Sequence, residues 1–174
     1  GKKKVSELLT DGKLSFAFTH LLTRFTVTFK LGTEFNVSGV PAQDIISDVV
    51  VSGTARDFKL KSATGYTSFT VTPGTAASDI KPYSVGWTSA ENAQGYCSSV
   101  YDCILVPQAV TKGGLKISFK AAGKNYEWVS AADYTLNGNT AYTLTLKVGK
   151  DVVIAGGFTA TAWEEGVGGL LYTE

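Results

Sequence analysis

The sequence predicts an all-β protein made of two packed antiparallel sheets, arranged as a sandwich or a flattened barrel. Short runs in which polar and apolar residues alternate recur along the chain, as expected for half-buried strands. Turn-forming residues separate these runs at short intervals, and glycine alone accounts for 19 of the 174 residues. With 44% apolar and 18% charged residues, the chain is apolar enough to build one core.

The first two predicted strands cover residues 14–20 and 24–31. Polar and apolar side chains alternate without interruption over residues 24–31. Apolar residues occupy even positions in the first run and odd positions in the second. A bulge or kink near Leu22 and Thr23 is therefore expected to bring both runs onto one face. Residues 5–10 are the only stretch that reads, weakly, as a helix.

Seven further runs are predicted strands: 47–52, 58–60, 66–71, 104–106, 115–119, 126–128 and 141–148. The clearest hairpin joins residues 142–148 to 152–154 through a turn at 149–151, and 158–163 is a last apolar stretch. Residues 73–101 show little periodicity and are too many for a simple connection. We expect this segment to be either an excursion that carries function or a poorly ordered loop.

The composition excludes several classes of function. The net charge is +1 and the basic run at residues 2–4 has no counterpart elsewhere, so phosphate contacts are few and no nucleic-acid partner is expected. No apolar run approaches the roughly 20 residues that cross a bilayer. With one histidine, two cysteines and no glycine-rich phosphate loop after a strand, we expect no metal site, no cofactor and no catalytic residues.

The two cysteines, Cys97 and Cys103, lie six residues apart at the end of the aperiodic segment. A second cysteine pair or a nearby histidine would be needed for a metal site. The favoured hypothesis is a structural disulfide between them, formed in an oxidising compartment. The alternative is two free, buried thiols.

Other polar residues are interpreted as structural. His20 has no nucleophile or orienting carboxylate that the sequence places beside it, so we expect a strand-end residue whose ring packs against its neighbours. Glu164 and Glu165 are adjacent and would point to opposite faces of a strand, which argues against a pair of glycosidase acids.

Four aromatic residues lie among small polar residues in the aperiodic segment, and they are the best candidates for ligand contact: Tyr83, Trp87, Tyr96 and Tyr101. Exposed aromatic rings stack on sugars or insert into partner proteins. The alternative is that some of them cap the open end of the core. Trp128 and Trp163 lie within strand patterns and are predicted to be core or half-buried sheet residues.

Four segments occur in a characteristic order: residues 16–27, 49–53 with 58–60, 104–108 and 134–144, followed by a closing segment at 158–166. The first contains His20 and Arg24, the fourth has Gly138 shortly before Tyr142, and the last has Trp163 before Gly166. In this order the chain resembles the fimbrillin-like (Mfa-like, fimbrillin-associated) proteins of Bacteroidales, which are type V pilus subunits and related surface lipoproteins. Typical members are longer, with two domains.

The resemblance implies a transthyretin-like Greek-key β-sandwich at residues 15–174, preceded by an N-terminal extension at 1–14. It implies a non-enzymatic cell-surface protein, a structural or accessory (tip or anchor) subunit of an adhesive pilus assembled by strand addition. Its location would be the outer membrane or the fimbrium, as an exported lipoprotein. Lys13 is the candidate site of proteolytic processing.

The implied partners are other pilus subunits or surface proteins, with host proteins or glycans as further candidates. Membrane contact would come only through a lipid anchor that these 174 residues do not contain. The alternative function is a surface lipoprotein module that binds glycan or host protein through the segment from Tyr83 to Tyr101.

Overall fold

The computed structural model describes residues 9–10 and 13–14, for which only the backbone is considered, and residues 19–36, 40–64, 68–75, 77–89 and 97–163. Within these residues the chain forms fourteen strands: β1 (Leu9–Thr10), β2 (Lys13–Leu14), β3 (Thr23–Leu31), β4 (Ile46–Ser52), β5 (Phe58–Ser62), β6 (Phe69–Pro73), β7 (Tyr83–Thr88), β8 (Cys97–Leu105), β9 (Gln108–Val110), β10 (Lys116–Ala121), β11 (Lys124–Val129), β12 (Tyr134–Leu136), β13 (Thr140–Val148) and β14 (Val153–Ala162). Two short 3₁₀ helices cover Thr33–Asn36 and Gln43–Ile45.

The larger sheet has five strands in the order β14-β13-β3-β8-β7, with β3 at its centre. The alternation read from the sequence is realised in β3, where Phe25, Val27, Phe29 and Leu31 are all buried. β3 runs antiparallel to β8 but parallel to β13. Parallel neighbours need a long connection, and here β3 and β13 are separated by most of the chain.

The smaller sheet has three strands in the order β11-β10-β4, and its inner face packs on the inner face of the larger sheet. The ring centroids of Phe29 in β3 and Phe119 in β10 lie 4.5 Å apart across the interface. Ile117, Val51 and Trp128 are buried beside them. The predicted all-β sandwich is therefore confirmed, and Trp128 is a core residue as expected. The Greek-key connectivity stays a prediction.

The strands β9 and β12 pair with each other and close one end of the core. Leu136 and Val110 are buried there. The turn from β12 into β13 is fixed by Tyr142, whose hydroxyl donates to the carbonyl of Thr135 at 2.8 Å and accepts from the amide of Asn137 at 3.0 Å. These bonds satisfy backbone groups that the turn would otherwise leave unpaired.

The described part of the aperiodic middle of the chain contains strands. Residues 83–88 form β7, and β8 begins at Cys97, earlier than the predicted start at 104. Two reasons explain the wrong prediction: β7 is an edge strand with most of its side chains exposed, and a register shift between Ser84 and Gly86 breaks the two-residue period.

The described N-terminal residues form two short paired strands. Leu9–Thr10 pairs with Lys13–Leu14 in a two-stranded ribbon, so the predicted helix is wrong at residues 9–10. Residues 5–8 and 15–18 lie outside the described residues. The chain bends at Leu21 and Leu22 before β3 starts, and this bend takes the place of the expected bulge. In the described part of the chain, no helix is long and apolar enough to cross a lipid bilayer.

Prediction for the β10–β11 turn. Ala122 and Gly123 form the two-residue connection and have φ of 50° and 79°, as a type I′ turn requires. Alanine is strained in this region, whereas asparagine tolerates it. Replacing Ala122→Asn should raise the free energy of unfolding in urea by about 0.5–1 kcal/mol.

The matched control is Ala131→Asn, the same change at an exposed alanine without positive φ. We expect this control to change stability by less than about 0.5 kcal/mol. Equal effects at the two positions would contradict the strain argument.

Candidate functional site

The open edge of the five-stranded sheet is the first candidate surface. In the described residues, β7 hydrogen-bonds to β8 on one side and to no strand on the other. Tyr83 is 77% exposed and Val85, at the register shift, is 49% exposed. An edge strand presents a row of backbone donors and acceptors that can pair with another chain.

A shallow cavity of about 410 Å³ lies beside this edge, between β7 and the start of β4. Its lining residues come from both sheets and from the second 3₁₀ helix: Gln43, Asp44, Ile46, Ser47, Ser84 and Tyr101. Tyr101 donates a hydrogen bond to the carbonyl of Ile46 at 2.9 Å and meets Phe29 edge-on at 5.7 Å. The cavity is thus a notch between the two sheets with a fixed aromatic wall.

The structure separates the four aromatic residues proposed for ligand contact. Tyr83 lies opposite Asp102 and points to the outer face of the sheet, while Trp87 and Tyr101 are half-buried and pack against the core. Tyr96 lies outside the described residues. The described members therefore form no common aromatic platform, since Trp87 and Tyr101 pack against the core and Tyr83 does not.

The disulfide proposed between Cys97 and Cys103 is wrong, because both thiols are free. The two residues lie at opposite ends of the extended strand β8, facing Leu31 and Phe25 of β3. Six residues of strand span about 20 Å, whereas a disulfide needs Cα atoms within about 7 Å. Six-residue spacing permits a disulfide only where the chain turns back, and the sequence did not reveal that it stays extended.

Both thiols sit in poorly solvated places. Cys97 is buried and its Sγ contacts the carbonyl of Ser89; burial raises the pKa of this thiol. Burial, and to a smaller extent the charge of Asp102, raises the pKa of Cys103 to about 12. A thiol with so high a pKa is a poor nucleophile at neutral pH. The raised pKa values therefore disfavour a nucleophilic role for either cysteine.

His20 is a packed residue, as expected. Its ring stacks on the indole of Trp163, with centroids 3.8 Å apart and planes 9° from parallel. Asn139 holds both backbones: the amide of His20 donates to its side-chain oxygen at 3.3 Å, and the amide of Trp163 donates to its carbonyl at 3.1 Å. Glu164 and Glu165 lie outside the described residues.

Lys13 lies in β2, in the ribbon that pairs only with β1. Elsewhere in the described chain, no group of three or more histidine, cysteine, aspartate or glutamate side chains comes together as a metal site. Two ion pairs are surface contacts, Lys120 with Asp48 at 2.8 Å and Lys124 with Asp151 at 2.9 Å, whereas in the pair of Arg24 with Asp102 the carboxylate is mostly buried.

The hairpin β5–β6 is a second surface, and the sequence did not indicate its exposure. Phe58, Leu60 and Phe69 lie on one face of this two-stranded ribbon and are 42%, 52% and 46% exposed. A contiguous exposed apolar face marks an interaction surface, and a two-stranded hairpin is marginally stable alone. Both strands were predicted from their alternation, but periodicity does not tell whether another layer covers the apolar face.

The model of the fimbrillin-like family matches residues 2–163. The chain belongs to the fimbrillin-like family. No curated protein matches the chain in sequence.

Solved structures from Bacteroides resemble the fimbrillin-like chain. A candidate cell adhesion protein of Bacteroides uniformis superposes with a TM-score of 0.52 at 18% identity, over 88% of this chain and 55% of the other. A fimbrial protein of Bacteroides vulgatus gives a TM-score of 0.46 at 11% identity, over 88% and 58%. A candidate cell adhesion protein of Bacteroides fragilis gives 0.42 at 17%, over 86% and 48%.

The first of these likenesses confirms the fold. The fimbrillin-like chain spans about half the length of these structures, with shares of 55%, 48% and 58%.

Prediction for the cysteines. The intact mass of the protein should be the same with and without reductant. Iodoacetamide should label both thiols in urea. In the folded Cys97→Ser variant, Cys103 should react about a thousandfold more slowly than a thiol of the ordinary pKa of 9.0, because its pKa is about 12.

The rate of this reaction should rise about tenfold per pH unit until the pKa is reached. The Cys103→Ser variant gives the reaction rate of the Cys97 thiol separately. A gain of two hydrogens on reduction, or a reactivity midpoint near pH 9 for Cys103, would contradict the assignment.

Proposed function

We propose that this fimbrillin-like chain is a non-enzymatic subunit of an adhesive pilus at the cell surface, and that a neighbouring subunit binds to it by strand addition along β7. The observation that carries the proposal is the open β7 edge beside the notch of about 410 Å³. An added strand finds backbone partners along the edge, and the notch accepts one of its side chains. Family membership supports the pilus-type role.

The other edge of the sheet, β14, is less suited to accept a strand. Gly156 is an extra residue in the pairing with β13, and such a bulge bends the edge. The turn before β14 is tied to the smaller sheet by the ammonium group of Lys124 and the hydroxyl of Tyr126, which both donate to the carbonyl of Lys150 at 2.7 and 2.8 Å. These bonds hold the turn before β14 against the smaller sheet, and the notch lies at the β7 side.

The accompanying features of the proposal come from the family resemblance. We propose export as a lipoprotein to the outer membrane or the fimbrium, residues 15–174 as the sandwich domain, and residues 1–14 as an extension that is processed at Lys13. The exposed apolar face of the β5–β6 hairpin supports contact with other subunits or surface proteins. Within this role, the subunit acts as stalk or as an accessory subunit at the tip or anchor.

Prediction for the β7 edge. A lysine at an exposed edge disfavours the approach of another strand, because its charge would be desolvated by the added chain. In cells producing the full-length protein, Val85→Lys should abolish filaments labelled by antibody in electron microscopy, while antigen remains on the surface. The purified variant should unfold at the wild-type urea midpoint, because Val85 is exposed.

The matched control is Ile154→Lys, which places the same charge at a residue of similar exposure, 56% against 49%, on the β14 edge. Its filaments should persist. Loss of filaments in Ile154→Lys but not in Val85→Lys would show that the neighbouring subunit binds along β14 and not along β7. Scattered antigen without filaments in the wild type would overturn the pilus role itself.

Prediction for Lys13. Among the described residues, the ribbon of β1 and β2 forms no strand pairing with either of the two main sheets. Limited trypsin digestion should therefore yield a product that starts at Leu14. Its unfolding temperature should fall by less than about 3 °C, the shift that about 1 kcal/mol causes in a domain of this size.

In the Lys13→Gln variant this product should be absent while other tryptic products are unchanged. A larger fall in unfolding temperature would show that the extension stabilises the sandwich and would contradict an independent ribbon.

A second candidate function is the binding of a glycan or host protein through the segment from Tyr83 to Tyr101. Only Tyr83, at 77% exposure, favours it among the described aromatic residues. Loss of binding to host proteins or glycans in Tyr83→Ala, with filaments retained, would support this function over assembly.

A further inference from the structure

A second pocket lies on the outer face of the five-stranded sheet, the face turned away from the core. It has a volume of about 390 Å³ and is lined by Arg24, Ala141, Thr161, Ala162 and Trp163. Thr161, Ala141 and Arg24 form one row across β14, β13 and β3. Because the side chain of Ala141 is small, it forms the floor of the pocket between the larger side chains of Thr161 and Arg24. We call this site the Trp163 pocket.

One wall of the Trp163 pocket is aromatic and held in place. The ring of His20 covers one face of the Trp163 indole at 3.8 Å, and the rest of the indole contributes to the pocket. The two hydrogen bonds to Asn139 fix the backbone on both sides of this stack. A preorganised ring loses little conformational entropy when a ligand packs on it.

The opposite wall is polar and electrically balanced. The guanidinium of Arg24 donates to Asp102 through Nε, at 3.1 Å, and through Nη2. The hydroxyl of Thr26 donates to the other oxygen of Asp102 at 2.5 Å. These bonds orient the guanidinium and neutralise its charge. The side chain of Arg24 is still half-exposed, so its remaining N–H groups can reach a ligand.

The chemistry of the two walls selects the ligand. An apolar molecule would cover the remaining N–H groups of Arg24 without pairing them, which costs free energy. An anion would approach a guanidinium already neutralised by Asp102 and would meet that carboxylate as a like charge. A neutral pyranose ring has an apolar C–H face for the indole and hydroxyl groups for the polar wall.

We propose that the Trp163 pocket binds a neutral pyranose unit of a glycan. This site is separate from the β7 edge and does not depend on the assembly of a pilus. The site also lies outside the aromatic segment that the sequence analysis proposed for ligand contact. Trp163 is half-buried, which is one of the two placements expected for it, and the sequence did not indicate that it lines a pocket.

The test uses the intact chain labelled with ¹⁵N and three neutral probes: methyl glucopyranoside, methyl galactopyranoside and methyl mannopyranoside. At least one probe should saturably shift the indole N–H signal of Trp163 and the Nε–H signal of Arg24. Sodium glucuronate serves as the anionic comparison and should bind more weakly than the best neutral probe.

Substitutions at two positions, Trp163 and Ala141, establish the site. Trp163→Ala should weaken binding about tenfold or more, as expected for the loss of one stacking contact, and Trp163→Phe should recover part of it. Ala141→Leu should also abolish binding by filling the floor of the pocket, while it removes no hydrogen bond of the sheet. Phe69→Ala, at an exposed aromatic residue of the β5–β6 hairpin, is the matched control and should bind as the wild type does.

Three outcomes would overturn the proposal: no saturable shift at Trp163 with any neutral probe, unchanged binding in Ala141→Leu, or tighter binding of glucuronate. None of these outcomes bears on filament formation, so this proposal and the pilus role can fail independently.

Discussion

The contact between the inner faces of β3 and β10 is the interaction on which the remaining structure depends. Phe29 and Phe119 meet there at 4.5 Å between ring centroids, within a core in which the inward residues of β3 are all buried. Burial of each large apolar side chain contributes about 1.5–3 kcal/mol, and no disulfide or metal cluster in the described residues supplements this contribution. Because β3 is central in its sheet, its position fixes β13 on one side and β8 on the other.

The larger sheet of the sandwich has two edge strands, β14 and β7, and their surroundings differ. At β14 the pairing contains a bulge, and the bonds from Lys124 and Tyr126 hold the preceding turn against the smaller sheet. Beside β7 lies a notch walled by Tyr101, whose hydroxyl donates to the carbonyl of Ile46 in the smaller sheet. An edge strand with unpaired backbone groups beside such a notch offers both main-chain and side-chain interactions, which is the physical basis for the proposed strand addition. The exposed apolar hairpin β5–β6 adds surface for further contacts.

The outer face of the same sheet carries a second site, which is separate from the β7 edge and uses residues of β14. Its row of Thr161, Ala141 and Arg24 exists because three strands bring residues from distant parts of the chain into register. The stack of His20 on Trp163 closes one end of that row. Weak binding of one sugar unit at each copy would become strong if many copies were displayed along one fibre, since linked sites act at high effective concentration.

The amino-acid sequence by itself determined the strand-forming segments with strong alternation, such as residues 24–31 and 141–148, because a two-residue period directly encodes one buried and one exposed face. It also determined family membership through the order of its motifs. Only the tertiary structure decided that β3 lies parallel to β13, that Cys97 and Cys103 stay about 20 Å apart on one extended strand, and that Tyr83 and Trp87 point to opposite faces. These facts depend on which strands pair and in which register. Pairing is a contact between residues far apart in the chain, and local periodicity fixes which face of a strand is buried but not which strand is its partner.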